Sequence, residues 1–118
     1  MKHNHFLESI LKYLFKPKKY SKSENGRRLV FEYNGRSGHA VYKDGNKTIR
    51  FYTEVGGGDC IFYMDIPSTK EWASQTGYPS EQRDDILKFI AEESLRLQSN
   101  SPGSYYKIED KYISFYQK

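Results

Sequence analysis

The sequence predicts an α+β domain. A four-strand meander and a C-terminal hairpin form a mostly antiparallel sheet. One long and one short helix lie on one face, and an amphipathic helix leads at the N-terminus. Three observations carry this. From Leu29 to Ile66, four stretches alternate apolar with polar residues, and only short glycine-containing turns separate them; such connections join antiparallel neighbours. From Ser80 to Leu97 the apolar residues change to helical spacing. Beyond Asn100–Ser104, a loop reading NSPGS, alternation returns for two short stretches.

Phe6, Leu7, Ile10, Leu11, Leu14 and Phe15 recur at helical spacing, and Pro17 ends that helix. Residues 17–28 are polar and basic and read as a linker or loosely held arm. The chain therefore divides into a basic helix and linker over 1–28 and a single α+β domain over 29–118.

The first strand is carried by Leu29, Phe31 and Tyr33, and Asn34-Gly35 suits a tight hairpin. His39–Lys43 is the second strand, turned by Asp44-Gly45. In the third, Ile49, Phe51, Thr53 and Val55 share a face, opposite Arg50, Tyr52 and Glu54. Gly56-Gly57-Gly58 precedes the fourth, where Cys60, Phe62, Met64 and Ile66 alternate in phase and point inward. Ser68 and Glu71 have capping-box spacing for a short helix from Thr69 that holds Trp72 and ends at Gly77. Ser80 is the expected N-cap of the long helix, whose buried stripe is Ile86, Leu87, Ile90, Ala91 and Leu97, joined by Phe89. Tyr105–Glu109 and Lys111–Tyr116 form the closing hairpin. The long helix covers one sheet face, leaving Arg50, Tyr52, Glu54, Tyr63 and Asp65 on the other.

Composition narrows the function classes. At 118 residues the chain is one domain, large enough for a core without a disulfide or metal staple. Its single cysteine excludes an internal disulfide and is compatible with a reducing cytosol, so a cytoplasmic location is expected. No apolar run is long enough for a membrane-spanning helix, and no signal-peptide pattern opens the chain. The net charge of +4 is uneven: residues 1–28 carry eight Lys/Arg against two Asp/Glu, whereas 29–118 carry eleven against thirteen. A basic surface over the whole domain, as nucleic-acid binding would want, is therefore not expected.

Motifs for chemistry are sparse. The loop Val55–Cys60 (VGGGDC) allows close backbone approach, but lacks the Lys-Ser/Thr of a phosphate-binding loop and sits between strands. It reads first as a hairpin or bulge needing positive φ. Cys60 activated by His39 would make a nucleophile, although its phase points it into the core as a packed thiol. Glu54 and Asp65 share a face and form a conceivable acid pair, set against a solvated face with Arg50 near enough to compensate. His3 with His5, or Asp59 with His39, are scattered ligands and not a metal site, so neither metal nor cofactor is expected. Trp72 and Tyr78 build an aromatic corner between the two helices, read as an interface anchor or, slightly favoured, as a structural pin, with Arg83 and Asp84 at its rim.

The segment GGGDCIFYMDIPS, with WASQTGYP and RDDILKFIA after it, resembles a recurrent pattern in short bacterial proteins without assigned chemistry. Small single-domain bacterial proteins of this strand–helix order are similar to immunity proteins, which neutralise a partner toxin by binding it. The resemblance implies a binding role.

Three functional readings follow, in this order. The first is a non-enzymatic protein-binding module, immunity-protein-like, that occludes or assembles a partner through Tyr52, Glu54, Tyr63, Asp65, Trp72 and Tyr78. The second is association with an anionic membrane or nucleic acid through the basic residues 1–28. The third is a small hydrolase or transferase using Glu54, Asp59, Asp65, His39 or Cys60 near the GGGDC loop.

Overall fold

The computed structural model describes residues 18–20, 26–99 and 101–117. The amphipathic helix expected over residues 6–15 lies outside them. Among the described residues the strands are β1 (Lys18–Tyr20), β2 (Arg27–Asn34), β3 (Ser37–Asp44), β4 (Lys47–Val55), β5 (Cys60–Asp65), β6 (Tyr105–Ile108) and β7 (Tyr112–Tyr116). Between β5 and β6 come a short helix α1 (Trp72–Thr76), a 3₁₀ turn (Ser80–Gln82) and the long helix α2 (Arg83–Gln98). The strands form one sheet in the order β1-β2-β3-β4-β5-β7-β6, every pair antiparallel. The α+β class, the meander and the C-terminal hairpin are as the sequence predicts.

Local details differ from the expectation, each for an identifiable reason. Residues 18–20, expected within a linker, pair along β2 opposite Val30, Phe31 and Glu32, and β2 itself begins at Arg27. The first two hairpins turn one residue later than expected, at Gly35-Arg36 and Gly45-Asn46, where Gly35 and Gly45 supply φ of +72° and +60°. Asn34 and Asp44 instead close the ladders opposite Ser37 and Lys47. The Ser68–Glu71 bonds form, with the Glu71 N–H donating to Ser68 Oγ at 3.2 Å and that hydroxyl donating to Glu71 Oε1 at 3.0 Å. They close a turn, and α1 starts only at Trp72. Ser80 does not cap α2; it opens a 3₁₀ turn after extended Pro79, and Gln82 stands at the helix N-cap without a side-chain bond.

The core lies between α2 and one sheet face. Leu29, Phe31, Ala40, Tyr42, Phe51, Met64, Ile113 and Phe115 from the strands meet Ile86, Leu87, Phe89, Ile90 and Ala91 from the helix. Burial of such side chains contributes roughly 1.5–3 kcal/mol each. Arg83, expected at an exposed rim, is 7% exposed and donates through Nη2 to the carbonyls of Pro67 (3.2 Å) and Asp110 (2.9 Å). Asp110 in turn accepts the Thr69 N–H and hydroxyl, both at 2.9 Å, and these donors hold its carboxyl below the usual carboxylate range. The approach to α1 and the β6–β7 turn are thereby fastened to the start of α2.

The second face is not uniform. Val30 and Val41 are cross-strand partners on it and are 4% and 1% exposed. Tyr52 and Tyr63, further across the same face, are each 40% exposed. The open part of this face is therefore its β4–β5–β7–β6 half.

Candidate functional site

The open half-face is built by alternation, broken at Val55, which is exposed although in phase with Phe51 and Thr53, and at Ser114, which is buried although in phase with Tyr112. On β4, Phe51 and Thr53 are buried and Tyr52 and Glu54 are exposed; on β5, Met64 is buried and Tyr63 and Asp65 are exposed. On β7, Ile113 and Phe115 join the core, which turns Tyr112 outward. Register decides what meets. Glu54 stands opposite Tyr63, and Asp65 stands opposite Tyr112. The pairing of Thr53 with Met64 carries the Asp65 row on to Tyr52. Rings and carboxylates therefore alternate both along and across the strands.

Tyr52, Glu54, Val55, Tyr63, Asp65 and Tyr112 line an open cavity of about 320 Å³. The Tyr52 hydroxyl donates to Glu54 Oε1 at 3.1 Å, orienting that carboxylate toward the rings. The Tyr63 and Tyr112 rings meet edge to face at 6.2 Å and 76°. His39 approaches Tyr52 from β3 in the same manner, 6.0 Å away. Tyr105 and Tyr116 stack at 5.0 Å, and Lys107 Nζ lies 5.3 Å from the Tyr116 ring centre, within cation–π range. The aromatic surface thus runs on from the cavity toward β6.

The charges here contradict one sequence expectation. Arg50 does not compensate Glu54 and Asp65, because its guanidinium pairs with Glu32 on β2. Among the described residues, neither Glu54 nor Asp65 makes an ion pair. Contact with the Cys60 thiol, then desolvation and the neighbouring Tyr116 and Tyr112, pushes the Tyr63 phenol above its ordinary pKa.

Four of the six residues expected at a contact surface, Tyr52, Glu54, Tyr63 and Asp65, line this one cavity. The other two do not join them. Trp72 is fully buried and Tyr78 is 5% exposed, both in the core cluster. The Tyr78 ring packs edge-on to Tyr42, takes Lys47 Nζ 4.5 Å from its centre, and donates its hydroxyl to Asp44 Oδ2 at 3.3 Å. The aromatic corner is a structural pin, as its apolar content allows. Tyr112, by contrast, is a surface residue that sequence reasoning did not single out. The alternation of Tyr112, Ser114 and Tyr116 with Ile113 and Phe115 shows an outward face; its place beside Asp65 depends on β7 entering between β5 and β6.

Of the groups named for an enzymatic reading, Glu54 and Asp65 line the cavity, whereas His39, Asp59 and Cys60 lie outside its lining. Cys60 does not follow Phe62 and Met64 inward. A register shift between Cys60 and Phe62 sets Cys60 opposite Tyr116, beside Tyr63 and outside the core cluster, though still buried. His39 lies in the Tyr52 row, toward the other end of β5 from Cys60. Asp59 lies in the β4–β5 turn, where its carbonyl accepts the Gln117 N–H. The glycine loop is a tight hairpin: the Gly56 N–H donates to Ile61 O and the Cys60 N–H to Gly57 O, both at 3.0 Å, with Gly58 at φ +59°. Among the described residues, no three His, Cys, Asp or Glu side chains gather closely enough to hold a metal, and no helix is long and apolar enough to cross a membrane.

Fold and surface together define a small α+β domain with one half-face of its sheet left open and aromatic. Comparison with protein-family models, curated proteins and solved structures finds no match to this chain.

Proposed function

We propose that this chain is a non-enzymatic protein-binding module that acts by covering or assembling a partner through the open half-face. The observation that carries the reading is the concentration of exposed tyrosines, Tyr52, Tyr63, Tyr105 and Tyr112, on one half of one face. Rigid amphipathic rings on regular strands provide contact area at small entropic cost, and tyrosine is among the residues that dominate interface energetics. The dispersal of His39, Cys60 and Asp59 supports binding over catalysis. An immunity-like role, in which the partner is a toxin, is the finer form of the same reading.

The test is a photo-crosslinking amino acid placed at Tyr63 in the full chain in its native cells. One partner band is expected from Tyr63, none from the same probe at Lys88 on the exposed side of α2, and loss of the band in Tyr52→Ala/Tyr112→Ala. Loss of two central aromatics should weaken the complex by at least 100-fold, at about 2 kcal/mol for each anchor. Equal labelling from both probe positions would refute the reading. For the immunity-like form, the captured protein must arrest growth when expressed without this chain; a harmless partner removes that form and leaves binding in place.

A further inference from the structure

The geometry points to a basic side chain, arginine in preference to lysine, as the group a partner protein inserts into the cavity between Tyr52, Tyr63 and Tyr112. This inference rests on the binding reading above and gives it a chemistry. Three features of the cavity select for a cation. Its aromatic walls are phenol rings, whose faces carry negative quadrupole charge and attract cations within about 6 Å of the ring centre. Its two carboxylates, Glu54 and Asp65, alternate with those rings. Two cations near it have partners of their own, Arg50 with Glu32 and Lys107 over Tyr116. Among the described residues, the cavity lining therefore carries two carboxylates and three phenol rings and includes no positive side chain.

An anionic or purely apolar group fits this arrangement poorly. An anion would face two carboxylates, and an apolar group would strip water from both without replacing it. A guanidinium answers every part of the site. Its plane stacks on a ring, and its edge presents parallel N–H donors to a carboxylate. An ammonium meets the charge and loses the planar match. The cavity volume of about 320 Å³ admits one long side chain. Glu54, already held by the Tyr52 hydroxyl at 3.1 Å, is positioned to accept without reorganising.

The experiment titrates the full ¹⁵N-labelled chain with the peptide Gly-Arg-Gly-Arg-Gly and with the same peptide bearing citrulline, or lysine, at both arginines. Citrulline keeps the shape and removes the charge. Amide shifts are expected to cluster at Tyr52, Glu54, Tyr63, Asp65 and Tyr112 with the arginine peptide, at least tenfold weaker with citrulline and several-fold weaker with lysine. Glu54→Gln/Asp65→Asn should lower arginine-peptide affinity at least tenfold while leaving the urea midpoint unchanged, since both carboxylates are exposed. Equal binding of the citrulline peptide, shifts centred elsewhere, or an undiminished affinity in the double variant would each overturn the inference. If those results occur while the Tyr63 crosslink persists, the cation inference fails and the binding reading stands; if the crosslink also vanishes, both fail.

Discussion

Replacing Arg83 with methionine should destabilise the fold by roughly 2–4 kcal/mol, with the gross term set by charged hydrogen bonds of about 1.5–3 kcal/mol each. Arg83 Nη2 donates to two main-chain carbonyls, Pro67 O at 3.2 Å and Asp110 O at 2.9 Å, from a side chain 7% exposed. Methionine keeps the aliphatic stem and leaves both carbonyls without that donor. Part of the loss is returned, because a guanidinium no longer has to be held away from water. The Asp110 carboxylate, 3.8 Å away and 60% exposed, adds little of its own. Urea unfolding followed by Trp72 fluorescence reads the effect. With a slope of about 1.5 kcal/mol/M, the midpoint should fall by roughly 1.3–2.7 M. Arg83→Lys, which retains a charged donor on a shorter reach, should fall between the two. A midpoint shift below about 0.3 M for Arg83→Met, some 0.5 kcal/mol at that slope, would show that the clamp between the α1 approach and the β6–β7 turn is not held by this residue.

Two further outcomes test local geometry. An added Cβ at Gly56 would lie 2.5 Å from the Cys60 carbonyl oxygen and 2.7 Å from its Sγ, whereas one at Gly57 meets nothing within 4 Å. Gly56→Ala should therefore cost about 1–3 kcal/mol in a urea titration, as overpacking does, and Gly57→Ala should cost under about 1 kcal/mol; equal costs would contradict the close approach. Burial first, then Asp44, pushes the Tyr78 phenol up to about 12. The folded chain then keeps a proton that the unfolded chain releases near pH 10. The contribution is complete below pH 10 and is lost as pH rises toward 12, up to about 3 kcal/mol. Tyr78→Phe should lose stability less steeply than wild type across that window, and parallel pH curves would rule the linkage out.

Much of the fold is written locally. Strand alternation, glycine turns and the stripe from Ile86 to Ala91 each act within a few residues, so period and turn chemistry suffice to read them. The misreadings arise where tertiary pairing overrides local pattern. Cys60 follows the phase of Phe62 and Met64 in sequence, but one bulge turns it to the other side, and no periodicity announces an inserted residue. Arg83 looks like a surface cation at a helix start until Pro67 and Asp110, sixteen and twenty-seven positions away, bring their carbonyls to it. The tyrosine face was half legible. Tyr52, Glu54, Tyr63 and Asp65 lie on consecutive strands, so alternation alone places them together. Tyr112 comes from beyond α2, and only the strand order sets it against Asp65.

The division of labour between the two faces bears on function. The helix-covered face already holds the large apolar side chains, from Trp72 and Phe115 to Leu87 and Ile90, all solvent-free. The tyrosines opposite are about 40% exposed and belong to no part of that core. Their contribution to folding is limited to pairings such as Tyr63 with Tyr112, worth about 0.5–1.5 kcal/mol each. Polar or β-branched residues would satisfy the same strand positions without leaving rings in water. Val30 and Val41 show that part of this face is closed to water. A surface that leaves aromatic rings open beside two carboxylates without an ion pair among the described residues, on strands whose stability comes from the other side, is the surface the proposed binding would use. Changes at Tyr52, Tyr63 and Tyr112 should therefore have little effect on the scaffold that presents them, and under the proposed binding reading they weaken the partner complex instead.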